Sequence, residues 1–302
     1  MRKLLVLIDP TQWIDGVFPD YYLNKVTTLS LQLDALVELY AVGYSGSLHN
    51  AYRFDREAEK QAIQGYVKGL EKQLVELSQV LQSRGVSVGY DVDWHKDYAA
   101  TITAKANHFS PDLIVAPFNL HKGSYVLNQG QWKLVAEVEQ PLLVIKESAW
   151  GSHPRILAAI DPFHPGSRSE LLELKIIEVF KKISQALVAE QHVLHAFTTI
   201  PQATIFNEHV TLNFQKLQEG ITQQHKEALA ELFEAQALHD AIPHLEQGEF
   251  HEEIEDLCQS ALIDVIVMGS VSRGITDRLL IGSSVERIMD SVDADLLLIN
   301  DK

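Results

Sequence analysis

The chain has 302 residues and a mass of 33.9 kDa, with 46% hydrophobic and 22% charged residues; this balance excludes a disordered or fibrous protein and is enough for a sizeable core in one or two domains. Lys and Arg number 25 against 41 Asp and Glu, a net charge of −16, and so acidic a surface repels nucleic-acid phosphates and anionic lipid. The single cysteine, Cys258, permits no internal disulfide framework, and no apolar stretch approaches the about 18 residues of a membrane span. The run at 4–8 is also too short for a secretory leader, so the expectation is a cytoplasmic protein with neither membrane nor nucleic acid as partner.

Residues 4–8 form a short, wholly apolar run, as a strand buried on both faces requires. A helix is expected over 21–33 and a second strand over 36–42. Ile63, Tyr66, Val67, Leu70, Leu74, Leu77 and Leu81 then recur at spacings of 3 and 4, one apolar stripe on a long helix. Gly85 stands where a left-handed C-cap belongs. A third strand over 86–92, a helix over 99–107, a fourth strand over 113–116, a short helix over 131–138 and a last strand over 142–145 complete this half.

The pattern then repeats. Residues 2–10 resemble 154–162, and Asp112-Leu-Ile-Val115 resembles Asp264-Val-Ile-Val267, both at an offset of 152; Leu142-Leu-Val-Ile145 resembles Leu296-Leu-Leu-Ile299 at an offset of 154. Strands are expected over 156–160, 193–197, 242–246, 265–268 and 296–299. Phe214, Leu217, Ile221, Ala228 and Leu232 mark a long helix. The expected organisation is two homologous domains, 1–149 and 152–302, joined at Trp150-Gly-Ser-His-Pro154. Each is a doubly wound α/β domain with five parallel strands, and ligands in such folds sit at the carboxyl ends of the strands.

The segment after the strand at 265–268 is the most informative. Gly269 leaves the strand, Gly274 follows, and Gly282-Ser283-Ser284 opens a helix. Glycines permit close backbone approach, and a helix start offers free amides and partial positive charge. A serine there either caps the helix or donates to an anion. From spacing alone, a phosphate cradle and a plain strand-end turn with an N-cap stay equally open.

The segment resembles the ATP loop of the universal stress protein family: Gly, two residues, Gly, nine residues, then Gly-Ser or Gly-Thr. Gly269, Gly282 and Ser283 match, and Ser272 stands in place of the second glycine. Ile160-Asp161 resembles the family's first strand end, and Leu194-His195-Ala196 its second. The length, Asp93-Trp94-His95 and Trp132 are similar to the tandem two-domain members. The resemblance implies ATP as ligand, in the second domain only. Asp161 would hold ribose, Ala196 would flank the base, and Met268 and Gly269 would lie along the nucleotide. Ser272, Gly282, Ser283 and Ser284 would surround the phosphates. A Cβ at Ser272 narrows the approach of a ligand to the backbone. The resemblance also implies that the two domains form an internal pseudo-dimer, with the last strands, 142–145 and 296–299, as the pairing elements; a homodimer of the whole chain stays open.

The first half departs further. Pro117 replaces the first glycine and removes an amide, and Gly123 and Gly130 are not at the family spacing, so no ATP binding through this loop is expected there. Asp9 reads as a strand-end turn residue. The 13 histidines show no zinc-finger or His-Glu-x-x-His spacing, and His192 and His195 point to opposite faces of a strand. Trp94 reads as packing, His121-Lys122-Gly123 as an exposed turn, and Cys258 as a buried, inert thiol. No nucleophile elbow, Walker loop or metal set is present, so no catalytic residue is assigned. Three readings compete with ATP binding: a small ligand other than a nucleotide, a protein-interaction scaffold, and a slow ATPase.

Overall fold

A computed structural model describes residues 1–13, 17–52, 55–118, 129–163, 168–199, 214–270 and 283–300, with backbone only at 49, 129, 131, 168, 169, 214, 215 and 283. Strands β1 (Lys3–Leu7), β2 (Leu36–Gly43), β3 (Val88–Trp94), β4 (Leu113–Pro117) and β5 (Leu142–Ile145) fall in the first half. Strands β6 (Arg155–Ala159), β7 (Glu190–Phe197), β8 (Ile242–Gln247), β9 (Val265–Gly269) and β10 (Asp295–Ile299) fall in the second. The expected doubly wound α/β architecture is present. The two expected five-stranded sheets are fused into one of ten strands, ordered β3-β2-β1-β4-β5-β10-β9-β6-β7-β8. Both halves thus share one strand order, read outward from the β5–β10 seam.

Helices cover both faces. On one lie α1 (Asp20–Leu33), α3 (Arg56–Ser83), α6 (Arg168–Leu187) and α7 (Phe214–Ala235); on the other lie α4 (Tyr98–Phe109), α5 (Gln129–Glu137), α8 (Phe250–Ser260) and α9 (Ser283–Ser291). A short α2 (Gly46–Ala51) precedes α3. Alternate strand residues feed the two cores: Leu4, Val6, Ile156 and Ala158 go to one side, Leu5, Leu7, Leu157 and Ala159 to the other. Each core layer runs across both halves.

The repeat is written into the backbone. Asp112 accepts from the Arg2 and Lys3 amides, and Asp264 accepts from the Arg155 amide. Left-handed residues recur at matching positions: Asp34 and Val188 (φ 49° and 50°), Gly85 and Ala237 (88° and 47°), Ser110 and Leu262 (both 51°). Gly85 is the predicted left-handed cap; its partner Ala237 and the bulky Val188 and Leu262 hold the same turn at a steric cost of roughly 1–2 kcal/mol each. The third strand begins two residues later than predicted, at Val88, because Val86 is buried in the turn after Gly85.

At the seam β5 and β10 run antiparallel, Leu143 opposite Leu297, Leu142 opposite Leu298 and Val144 opposite Leu296. With the offset of 154 this is an isologous pairing, its two-fold axis passing through Leu143–Leu297. The last strands therefore pair within one chain, as the resemblance implies. Beneath the seam lies a buried ion pair: Lys25 of α1 donates to both Asp295 carboxylate oxygens at 2.9 and 2.7 Å, with side chains 3% and 0% exposed. Asp295 also accepts from the Lys146 amide (2.7 Å) and the Trp150 indole (2.8 Å). Burial pushes Asp295 up to about 6 and lowers Lys25, while their mutual attraction opposes both shifts. With four donated hydrogen bonds, the carboxylate is held as an ion.

Breaking a buried pair leaves one charge stranded. Lys25→Met should cost about 3–5 kcal/mol in urea unfolding, and Lys25→Met with Asp295→Asn should recover a large part of it. A double variant no more stable than the single one would contradict the pairing.

Candidate functional site

The connections after β6 and β7 pass over the face carrying α6 and α7, whereas those around β9 use the face carrying α8 and α9. The crossovers part between β6 and β9, and there the carboxyl ends of the strands leave a crevice. The register Ala158 opposite Val267 puts Gly269 beside Ile160 and Ser270 beside Asp161. Asp161 and Gly269 thus occupy the two lips, Met268 is buried just below, and Ala196 lies near the end of the neighbouring β7. Helix α9 starts at Ser283, with Ser284 half-buried in its first turn. Ser272, Gly274 and Gly282 lie outside the described residues, as do His121, Lys122 and Gly123 of the first half.

Each lip also has a structural duty. An Asp161 carboxylate oxygen accepts from the Phe163 amide at 3.2 Å, closing a turn; Asp9 likewise accepts from the Thr11 amide and hydroxyl, both at 2.7 Å. Gly269 leaves room for α6: a Cβ there would meet Leu172 Cδ2 at 2.9 Å. A side chain there would have to displace Leu172, so helix packing as well as any ligand favours the glycine. Buried Ser270 donates to Asn300, the residue after β10.

Beside the crevice a ring cluster that no sequence motif marks gathers on β7 and α7. His195 Nδ1 faces the Ile160 carbonyl at 3.2 Å and so carries the proton. Its Nε2 faces His225 Nδ1 at 2.7 Å, leaving His225 as donor. The His225 ring stands 4.2 Å from Phe197, nearly parallel, and 4.3 Å from Phe163. Burial lowers the His225 pKa, opposed by Asp161. On the opposite face of β7, His192 bonds Glu190 and His244, both at 2.9 Å. The two histidines of β7 do point to opposite faces. At 2.9 and 2.7 Å both pairs of ring nitrogens stand at hydrogen-bond distance. Among the described residues no three His, Cys, Asp or Glu side chains are placed to hold a metal.

In the first half aromatic rings take the corresponding strand ends. A Cβ on Gly43 would meet Tyr66 at 2.7 Å, and Tyr66 and Tyr44 pack on Trp94 at 5.1 and 5.7 Å. Trp94 is thus a packing residue. Half-buried Cys258 is pushed up to about 12 by burial, which keeps the thiol protonated and inert. A cavity of about 420 Å³ opens elsewhere, at the seam, lined among others by Phe118, Lys146, Glu147, Met289, Asp290 and Asp293. None of the residues predicted from the sequence lines it. Burial brings Lys146 down to about 8, and the aspartates around it work against that shift.

Residues 153–300 match the profile of the universal stress protein family. Universal stress protein E of Salmonella typhi is 21% identical over 99% of this chain and 94% of that one. The chain also superposes on a putative universal stress protein of Pseudomonas aeruginosa UCBPP-PA14 at 22% identity, with a TM-score of 0.72 over 99% of this chain and 93% of that one. A universal stress protein of Archaeoglobus fulgidus gives 14% identity and a TM-score of 0.66 over 99% and 98%. At these identities the structural likeness speaks for the fold.

Gly269→Ala should destabilise the chain by about 1–3 kcal/mol through its clash with Leu172, and Leu172→Ala in the same chain should relieve part of that loss beyond additivity. Strictly additive melting shifts would show that α6 does not need the glycine.

Proposed function

We propose that the chain, whose residues 153–300 match the universal stress protein family, is a tandem stress protein whose second half binds ATP without dedicated catalysis. The reading divides the chain into domains at 1–149 and 152–302, forming an internal pseudo-dimer, and places it in the cytoplasm. Asp161 meets the ribose, Ala196 flanks the base, and Met268 and Gly269 line the nucleotide. The phosphates lie against Ser272, Gly282, Ser283 and Ser284. The observation that carries this is the crevice between β6 and β9, with Asp161 and Gly269 on its lips, at the point where the crossovers diverge. The start of α9 supplies amides and the positive end of its dipole toward the phosphates. In the first half, Pro117 and the Tyr66–Trp94 packing argue against a second site.

A second reading, a small ligand other than a nucleotide, is favoured by the Phe163–His225–Phe197 stack, which offers rings beside the crevice. A co-purifying mass in native mass spectrometry would identify such a ligand.

Calorimetric titration of the full chain should show ATP binding. Asp161→Asn and Ser283→Ala should each weaken it about tenfold, the equivalent of about 1.4 kcal/mol for one hydrogen bond to a charged group. No heat at millimolar ATP would defeat the nucleotide reading.

A further inference from the structure

The residue that follows the last strand of each half does the same work in opposite directions. Lys146, after β5, donates from Nζ to the Met289 carbonyl at 2.6 Å and to the Val292 carbonyl. Asn300, after β10, donates from Nδ2 to the Val135 and Val138 carbonyls at 2.9 and 2.6 Å. All three positions differ by 154: 146 and 300, 135 and 289, 138 and 292. Each half thus caps the carboxyl end of the last helix of the other. Each capping residue also touches the residue after the fourth strand of its own half. Lys146 Nζ lies 5.0 Å from the Phe118 ring centre, and Asn300 accepts from Ser270.

The two caps differ in charge. Asn300 serves α5 with a neutral amide, whereas Lys146 serves α9 with a buried ammonium, which complements the negative end of a helix dipole. Helix α9 has only nine residues, too few to stand without tertiary support. Its anchors are Val285, Ile288 and Met289 in the core, a contact of Arg287 with His251 of α8, and the Lys146 cap. The other end of α9 opens at Ser283 on the crevice side.

We propose that Lys146, supplied by the first half, is a positioning residue for the ligand site of the second half. It fixes α9 from its carboxyl end, so that the helix start is in place before a ligand arrives and binding does not have to order it. The first half, with aromatic rings packed on the ends of β2 and β3, is then a working part of the site in the second. This rests on the nucleotide reading above.

The test uses the full chain and ATP in calorimetry, with hydrogen exchange of residues 283–291. Lys146→Met should weaken ATP binding about tenfold, within the usual range of coupling between sites, and should speed exchange in α9. Lys146→Asn, which offers the amide that Asn300 uses, should restore affinity to within about threefold of the parent; it also serves if the methionine variant fails to fold. Lys105→Met, which removes a lysine paired with Glu38 and Asp91 far from α9, should lower stability and leave affinity unchanged. A Lys146→Met chain that binds ATP like the parent overturns the proposal and leaves the nucleotide reading intact. So does equal weakening by Lys105→Met, or an asparagine variant no better than the methionine one. A parent chain that binds no ATP overturns both readings.

Discussion

The antiparallel pairing of β5 with β10 governs the rest of the molecule. A doubly wound half of order 3-2-1-4-5 ends in an apolar edge strand, here Leu142-Leu-Val-Ile145 or Leu296-Leu-Leu-Ile299. Such an edge exposes a row of unpaired amides and carbonyls and recruits further strands. Setting the two edges against each other satisfies both at once. Because the two strands are copies, the pairing is self-complementary about Leu143–Leu297. The outer edges, β3 and β8, differ in kind: they are partly exposed, and β8 carries Pro243, which cannot donate to a further strand.

Joining the edges buries polar groups, and the seam is organised around satisfying them. Asp295 is fully buried and collects donors from Lys25, the Lys146 amide and Trp150. Lys175 of α6 donates to the Asn300 and Glu139 carbonyls, mirroring Lys25 of α1, which donates to the Lys146 carbonyl. The near-symmetry breaks where charge is concerned, with a lysine and an aspartate on one side facing main-chain carbonyls and an amide on the other. Only the lysine side reaches the helix that opens toward the candidate crevice. A merged sheet of this kind lets one copy specialise while the other supplies support.

The central strands were legible because parallel strands buried on both faces need continuous apolar runs, and β1, β4, β5, β6, β9 and β10 have them. Edge strand β8 reads weakly for the opposite reason: it is half exposed and interrupted by Pro243. The duplication showed in the repeated Asp112 and Asp264, whose carboxylates turn out to cap the first strand of each half. The seam ion pair was not legible, since Lys25 and Asp295 are 270 positions apart and each alone resembles a surface residue. Nor was the ring cluster, because His225 meets His195 only through packing of α7 on β7. Lys146 and Asn300 did leave a signal, as polar residues directly after matching apolar runs, and the offset of 154 connects them. Of the candidate site, Asp161 and Gly269 flank one crevice, with Met268 buried just below and Ala196 on the neighbouring strand. The structural duties of Asp161 and Gly269 could not be read from spacing.

One continuous sheet of ten strands couples the two halves into a cooperative unit. Native-state hydrogen exchange in rising urea, comparing amides of β1 with those of β6, tests it most directly. Both strands should open with the same free energy and the same denaturant dependence. Strands that open in two well-separated steps, one half remaining protected after the other has exchanged, would contradict it.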